Sequence, residues 1–171
     1  MSRPRMLIVR GLPGSGKSTY VRNNYPGLFV LETDCFNCVS GQYYWNIDRS
    51  QEAIRIIEKI SIELMESKNT PDFAITGVFA RPFSMLGHIA RAEDYGYEVY
   101  IKTLTSQYPN IHNVPEETIQ MFKDNFLTDE QVREHFKTYQ NVFYTEMPQI
   151  NWMFQKERKP SSKELEYEGE G

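Results

Sequence analysis

The chain is short of the residues that build metal sites and disulfide frameworks. Among its 171 residues are two cysteines and three histidines, whereas structural zinc needs a closed tetrahedral set of such ligands. Cys35 and Cys38 stand close together, but no pair of histidines has ligand spacing. A zinc site and a thioredoxin-type redox centre are therefore disfavoured, and we expect reduced, structural thiols beside the active site.

Long apolar runs and a basic excess are also missing. No run approaches the roughly 20 residues that cross a membrane, and the apolar run after the basic residues 1–5 is too short for a signal peptide. We therefore expect a cytoplasmic protein with no membrane partner. The net charge is −4, and tight nonspecific binding to nucleic acid needs a basic face. This balance favours a small or single-stranded partner over long duplex.

The chain does contain a glycine-rich loop of high specificity. Residues 11–19 match the P-loop (Walker A) pattern G-x-x-x-x-G-K-[ST] and follow an apolar run at residues 6–9. A strand leading into such a loop, with a helix leaving it, is the context in which the motif binds phosphate. Lys17 would contact the β- and γ-phosphates of a nucleotide, and the Ser18 hydroxyl would coordinate Mg²⁺. The predicted nucleotide-binding residues are Gly11, Pro13, Gly14, Ser15, Gly16, Lys17, Ser18 and Thr19.

Apolar runs alternate with helical patterns, which predicts an α/β fold with a parallel sheet. The predicted strands are residues 6–10, 28–31, 73–79 and 98–104, with an edge strand or irregular chain within 141–155. Helices are expected from about residues 17, 50, 82, 115 and 129. Their expected buried positions include Ile54, Ile57, Leu64, Leu86, Ile89 and Ala90. The domain is predicted to span residues 1–155, with 156–171 as a charged, disordered tail.

Polar and aromatic residues follow the second predicted strand, at the sheet edge where ligands bind. Asp34 would face the phosphate loop, where a carboxylate can accept a proton from an attacking hydroxyl or hold a metal-bound water. Asp is also a common helix cap. The next segment carries Tyr43, Tyr44 and Trp45. These rings can stack a substrate base or cover the core, and the sequence favours neither.

These motifs together resemble the polynucleotide-kinase-like branch of P-loop kinases, which includes 5′-hydroxyl kinase domains of tailed phages and related small eukaryotic and viral P-loop ATPases. The matching segments are residues 11–19, 33–36, 41–43, 52–53, 95–99 and 110–115. The resemblance covers about residues 5–125. It implies a P-loop three-layer sandwich, bound ATP and Mg²⁺, and transfer of the γ-phosphate to a nucleic acid 5′ end or a small nucleoside-like acceptor. Lys17 and Ser18 carry over directly, and Asp34 matches the family's catalytic base.

Charge departs from the family pattern in three places. The family has lid arginines before its Asn-x-His-x-x-Pro motif, whereas this chain has no Lys or Arg from Thr103 to Met121. Asn37 stands where an arginine is expected, and residues 77–79 lack the acid that often ends the third strand. An arginine on the γ-phosphate is worth roughly 10³–10⁵ in rate. The missing cations therefore bear on catalysis more than on binding.

Arg81, at the start of the helix after the third strand, is the predicted catalytic replacement for the lid arginines. A solvated helix-start residue is also typical of that position, and a partner protein can supply an arginine in trans. Three interpretations follow from this sequence. The first is a working kinase, and the second is an ATP-binding regulatory or assembly module with little transfer activity. The third is an ATP-binding factor that counters a host defence or modifies a host protein.

Overall fold

The computed structural model describes residues 3–34, 38–39, 42–43, 46–109 and 114–149. Within them, the strands are β1 (Arg5–Gly11), β2 (Phe29–Glu32), β3 (Cys38–Val39), β4 (Gln42–Tyr43), β5 (Phe73–Gly77), β6 (Glu98–Leu104) and β7 (Val142–Phe143). The helices are α1 (Lys17–Asn24), α2 (Ile47–Glu66), α3 (Phe83–Asp94), α4 (Glu116–Asn125) and α5 (Asp129–Phe136). No helix in these ranges is long and apolar enough to cross a membrane.

Five strands form one parallel sheet in the order β2-β5-β1-β6-β7. This confirms the predicted α/β fold. The strand β1 lies at the centre, where Ile8 pairs with Ile75 on one side and Ile101 on the other. Central parallel strands are buried on both faces and read as continuous apolar runs, which is why residues 6–9 gave a clear strand prediction. The short strands β3 and β4 pair antiparallel, apart from this sheet.

Successive side chains of a strand point to opposite faces of the sheet, so the apolar strands present side chains on both faces. Helices cover each of these faces. Leu7 and Val9 pack with Val21 of α1, and we call this side the α1 face. Met6 and Ile8 pack on the other side, which we call the α3 face. The helices there contribute Ile57 and Met65 from α2, Met85 and Ile89 from α3, and Val132 and Phe136 from α5. The larger core therefore lies on the α3 face.

Several local predictions are confirmed and others are wrong. Thr128 and Gln131 form the capping box at the start of α5, and an edge strand does form at Val142–Phe143. The third strand of the sheet ends at Gly77 rather than at residue 79.

Two helix faces are rotated relative to the prediction. Ile54 is 53% exposed, because α2 buries Ala53, Ile57, Ser61 and Met65 instead. Leu86 is 41% exposed, because α3 buries Met85, His88, Ile89 and Ala92. Ala90 is only partly buried. Periodicity gives the width of an apolar stripe, but small and polar residues at its border decide which positions reach the core.

Candidate nucleotide site

The phosphate loop joins the carboxyl end of β1 to the first turn of α1. Gly14 and Gly16 have φ angles of 82° and 85°, in the left-handed region that costs a residue with a side chain roughly 1–2 kcal/mol. Gly11 is constrained by space, since a Cβ there would lie 2.3 Å from the Ser15 hydroxyl oxygen. The geometry of the loop therefore favours glycine at all three positions, of which Gly11 and Gly16 are fixed by the motif.

The Lys17 side chain folds back over the loop that precedes it. Its Nζ donates to the carbonyl oxygens of Gly11 at 2.9 Å and Leu12 at 3.0 Å, and lies 3.5 Å from the Ser15 hydroxyl. Burial lowers the pKa of Lys17, and the negative charges of Asp34 and Glu32 oppose that shift. The amino group is thus held at the loop by neutral oxygens, which an anionic phosphate oxygen could replace with a stronger, charge-assisted bond.

Two carboxylates at the end of β2 face this region. Asp34 follows β2 and is close enough for its charge to act on Lys17, as does Glu32, the last residue of β2. Glu32 also lines a cavity of about 260 Å³ together with Ser18. Asp34 was predicted from the sequence and Glu32 was not. The signal for Glu32 was available, because it ends a parallel strand at the sheet edge where ligands bind.

Ser18 and Glu32 suit a magnesium ion better than a transition metal. Mg²⁺ is typically held by one or two protein oxygens together with substrate phosphates and water, and a hydroxyl and a carboxylate share the wall of this cavity. No group of three His, Cys, Asp or Glu side chains in the described ranges forms a cation site by itself. Ser18 and Glu32 are therefore oxygen donors of the kind that such an ion takes, although Arg22 and apolar side chains also line the cavity.

The chain after β6 crosses directly over the phosphate loop. We call residues 105–109 the strap. The backbone N–H of Tyr108 donates to the Gly14 carbonyl at 2.8 Å. A Cβ at Gly16 would lie 3.1 Å from Cε2 of the Tyr108 ring, and one at Gly14 would lie 3.0 Å from the Tyr108 carbonyl oxygen. No role for Tyr108 was predicted from the sequence, because nothing in an irregular segment indicates which loop that segment will contact.

Arg10 is a third residue near the loop that was not predicted from the sequence. It immediately precedes the loop, is 0% exposed and lies on the α3 face. Its guanidinium donates to the carbonyls of Phe79 and Leu127 at 3.1 and 2.9 Å and to the Thr103 hydroxyl at 3.2 Å. It also packs over the Phe126 ring, with Cζ 4.1 Å from the ring centroid. The available signal was an arginine within an apolar strand, next to the phosphate motif.

The third strand of the sheet ends in a constrained turn beside Arg10. Phe79 has a φ of 44°, unusual for a residue with a side chain, and Arg10 holds its carbonyl. A Cβ at Gly77 would lie 2.9 Å from the Phe79 ring. The aromatic ring therefore occupies the space that a side chain at Gly77 would need, which accounts for the missing acid at this strand end.

Arg81 lies in a groove between α3 and the turn that joins α4 to α5. Its guanidinium donates to the Asn125 side chain at 2.6 Å. The groove has a volume of about 620 Å³ and is lined by Arg81, Pro82, Phe83, Asp124, Asn125, Phe126, Leu127, Gln131 and His135. Arg81 is thus exposed between β5 and α3, with its side chain directed toward α4, and its predicted catalytic role stays a prediction.

The remaining predicted site residues are placed only in part. Pro13 and Ser15 belong to the loop, with Ser15 buried, and Thr19 is exposed in the first turn of α1. The backbone of Tyr43 lies in β4, paired with Cys38. Tyr44, Trp45, Cys35 and residues 110–113 lie outside the described residues, as do residues 150–171, so the stacking, thiol and tail predictions stay predictions.

Comparison with curated proteins gives distant relatives, and no family model matches the chain. The chain is 27% identical over 128 residues to an uncharacterized protein of Pasteurella multocida, a match that covers 67% of this chain and 72% of the relative. It is 26% identical over 133 residues to NEDD4-binding protein 2 of Homo sapiens, a match that covers 71% of this chain and 8% of that protein.

Comparison with solved structures shows the fold. A chain of the AvrRxo1-ORF1:-ORF2 complex with ATP superposes with a TM-score of 0.58 at 12% identity, covering 84% of this chain and 55% of that one. A gluconokinase from Sinorhizobium meliloti superposes with a TM-score of 0.50 at 13% identity, covering 91% and 90%. The chain thus spans only part of the first of these proteins and a small fraction of the human relative. At such identities the likeness establishes a P-loop kinase-like α/β fold.

Proposed function

We propose that this protein is an ATP-dependent phosphotransferase, which moves the γ-phosphate of ATP to a hydroxyl group of a nucleic acid end or a nucleoside-like acceptor. The observation that carries the proposal is the placement of Lys17. A buried amino group bonded to its own loop carbonyls lies at the carboxyl edge of a parallel sheet, with the charges of Asp34 and Glu32 acting on it. Phosphoryl transfer depends mainly on such positioning and charge neutralisation.

The proposed roles combine the positions of Lys17, Ser18, Glu32 and Asp34 with the roles that the sequence predicts for the other residues. Lys17 binds the β- and γ-phosphates, and backbone N–H groups of the loop and of the first turn of α1 surround them. Ser18 and Glu32 hold the Mg²⁺ that arrives with ATP, which neutralises charge on the phosphate oxygens. Asp34 accepts the proton of the attacking hydroxyl. We assign Arg81 as the catalytic cation, and Tyr43, Tyr44 and Trp45 as acceptor contacts.

A second candidate function is an ATP-binding regulatory or assembly module with little transfer activity. One observation favours it: Arg81 donates to Asn125 in the α3–α4 groove, while the strap over the loop presents Tyr108 rather than a cation. A partner protein that supplies an arginine in trans would reconcile this arrangement with catalysis.

The two candidates are separated by a transfer assay. The full chain is incubated with Mg²⁺, γ-labelled ATP and a panel of 5′-hydroxyl DNA, 5′-hydroxyl RNA, nucleosides and nucleotides, while ATP affinity is measured by calorimetry. A kinase labels at least one acceptor, and Lys17→Ala removes both labelling and ATP affinity. ATP binding without labelled acceptor supports the module, and absence of ATP binding overturns both candidates.

Asp34→Asn and Arg81→Ala test the assigned roles. If Asp34 is the base, Asp34→Asn abolishes transfer and leaves ATP affinity within about threefold of wild type. Equal loss of both would instead place Asp34 in nucleotide binding. An unchanged rate in Arg81→Ala would remove Arg81 from the catalytic assignment and favour a cation supplied by a partner.

A further inference from the structure

The aromatic ring over the phosphate loop has a place in nucleotide binding that the motif alone does not assign. We propose that Tyr108 is a nucleotide-binding residue that stacks against the base of the bound nucleotide, so that this protein recognises the nucleotide with an aromatic ring on the strap rather than with a cation there. The inference rests on the proposed nucleotide site.

The strap is fixed where it crosses the loop. The N–H of Tyr108 donates to the Gly14 carbonyl at 2.8 Å, and the ring reaches the position of a Gly16 Cβ at 3.1 Å. Both partners are loop glycines that lack side chains, so the strap lies against the loop backbone. The position of the ring is therefore set by the same residues that bind phosphate.

The ring itself is available to a ligand. Tyr108 is 63% exposed, although one edge of its ring lies against Gly16. Phosphate groups would occupy the inner side of the loop, near Lys17. The rest of a nucleotide must extend past the rim of the loop, where α1 begins at Lys17 and Thr19 is exposed. The exposed ring stands beside that rim.

The composition of the strap decides what it can offer the ligand. Lys and Arg are missing from Thr103 through Met121, so the strap brings no full positive charge to the phosphates. An exposed aromatic ring instead offers a π-face to a base, a contact that alanine substitution shows to be substantial and tolerant of base identity. We therefore expect Tyr108 to act on the nucleoside part of the ligand and not on its phosphates.

Calorimetry with two probes tests this inference. ATP and inorganic tripolyphosphate are titrated, each with Mg²⁺, into the full-length wild type, Tyr108→Phe, Tyr108→Leu and Tyr108→Ala. Stacking predicts that the leucine and alanine variants lose about tenfold in ATP affinity, that phenylalanine retains it, and that tripolyphosphate affinity stays constant. Tyr95→Ala is the matched control, because Tyr95 is also an exposed tyrosine but lies at the C-terminal end of α3 and not on the strap.

Each other outcome overturns the inference. Equal losses for ATP and tripolyphosphate would mean that Tyr108 only supports the loop. A gain in affinity for both would mean that the ring obstructs the site. Unchanged ATP affinity would mean that the base lies elsewhere. If the wild type binds ATP no more tightly than tripolyphosphate, the nucleoside adds no affinity and Tyr108 has no base to stack on. A wild type that binds neither probe overturns the proposed function as well.

Discussion

The two faces of the sheet differ in how they hold a buried cation. On the α1 face, Lys17 bonds to oxygens of Gly11, Leu12 and Ser15, all within six residues of it. On the α3 face, Arg10 bonds to oxygens of segments that lie 69, 93 and 117 residues away along the chain. Lys17 can exchange its partners for a ligand without disturbing other elements, whereas the three partners of Arg10 belong to three distant segments of the chain.

Because of this difference, we expect Lys17 to matter mainly for ligand binding and Arg10 mainly for the stability of the fold. Removing a side chain whose bonds are local and replaceable should affect the ligand, because the fold does not depend on it. Removing a side chain that ties separate segments together should affect the fold, because several partly buried oxygens lose their donor together. The four predictions below test this division, in order of decreasing expected effect.

Arg10→Met should produce the largest loss of stability. The substitution leaves the partly buried carbonyl oxygens of Phe79 and Leu127 and the Thr103 hydroxyl without their donor, and each group left without a hydrogen bond costs about 1–3 kcal/mol. Urea unfolding measures the change in the free energy of unfolding. Lys17→Met is the matched variant, and we expect it to change stability by about 1 kcal/mol or less while lowering ATP affinity by about tenfold or more. Similar stability losses in both variants would contradict the division.

The α3 face should also make stability depend on pH through His88. Burial, aided by the charge of Arg91, lowers the pKa of His88 to about 4 from an ordinary value near 6.5. Between these values the unfolded chain binds a proton that the folded protein does not, so stability falls as the pH falls through this window. The full shift corresponds to a loss of up to about 3 kcal/mol.

Urea unfolding of His88→Gln between pH 7 and pH 4 measures this effect against wild type. We expect the variant to lose less stability than wild type on acidification, because it lacks the titrating ring. His135→Gln is the control, since His135 is exposed and its loss should leave the wild-type slope in place. Parallel curves for wild type and His88→Gln would show that His88 is not held neutral by the fold.

Substitutions at two glycines distinguish the cost of backbone strain from the effect of a new contact with the strap at the phosphate loop. Gly16 and Gly96 have similar φ angles, 85° and 75°, so alanine should cost each roughly 1–2 kcal/mol in backbone strain. A Cβ at Gly16 meets the Tyr108 ring, whereas one at Gly96 meets nothing within 4 Å. We therefore expect comparable losses in urea unfolding, with loss of ATP affinity in calorimetry confined to Gly16→Ala. Normal ATP affinity in Gly16→Ala would mean that the loop tolerates displacement of the strap.

Prediction from sequence succeeded where the signal was local. The glycines of the loop, the apolar run before it and the Thr128 capping box each follow from a few adjacent residues, and the structure contains the elements that they indicate. Asp34 could be placed because a strand end fixes its position relative to a parallel sheet.

What sequence could not supply was contact between distant segments. Arg10 and Thr103 meet across 93 residues, and Tyr108 meets the loop only because β6 lies beside β1. Ile54 was misplaced for a related reason, since the face of α2 that is buried depends on the sheet and on α3. Helical spacing alone does not fix that rotation.

The smallest expected effect is on the α1 face, where a polar network joins α1 to the chain after β7. Glu146 accepts from Lys102 of β6 at 2.5 Å and from the Tyr20 hydroxyl of α1. The Glu146 side chain is 59% exposed, and ion pairs in such settings contribute about 0–1 kcal/mol. Glu146→Gln should thus lower stability by about 0.5 kcal/mol in urea unfolding, an effect that added salt reduces. Glu134→Gln, which breaks the exposed pair with Lys137 within α5, is the control for a pair that joins no separate elements. A loss above about 2 kcal/mol in Glu146→Gln would mean that the α1 face, like the α3 face, depends on a charge that ties distant segments together.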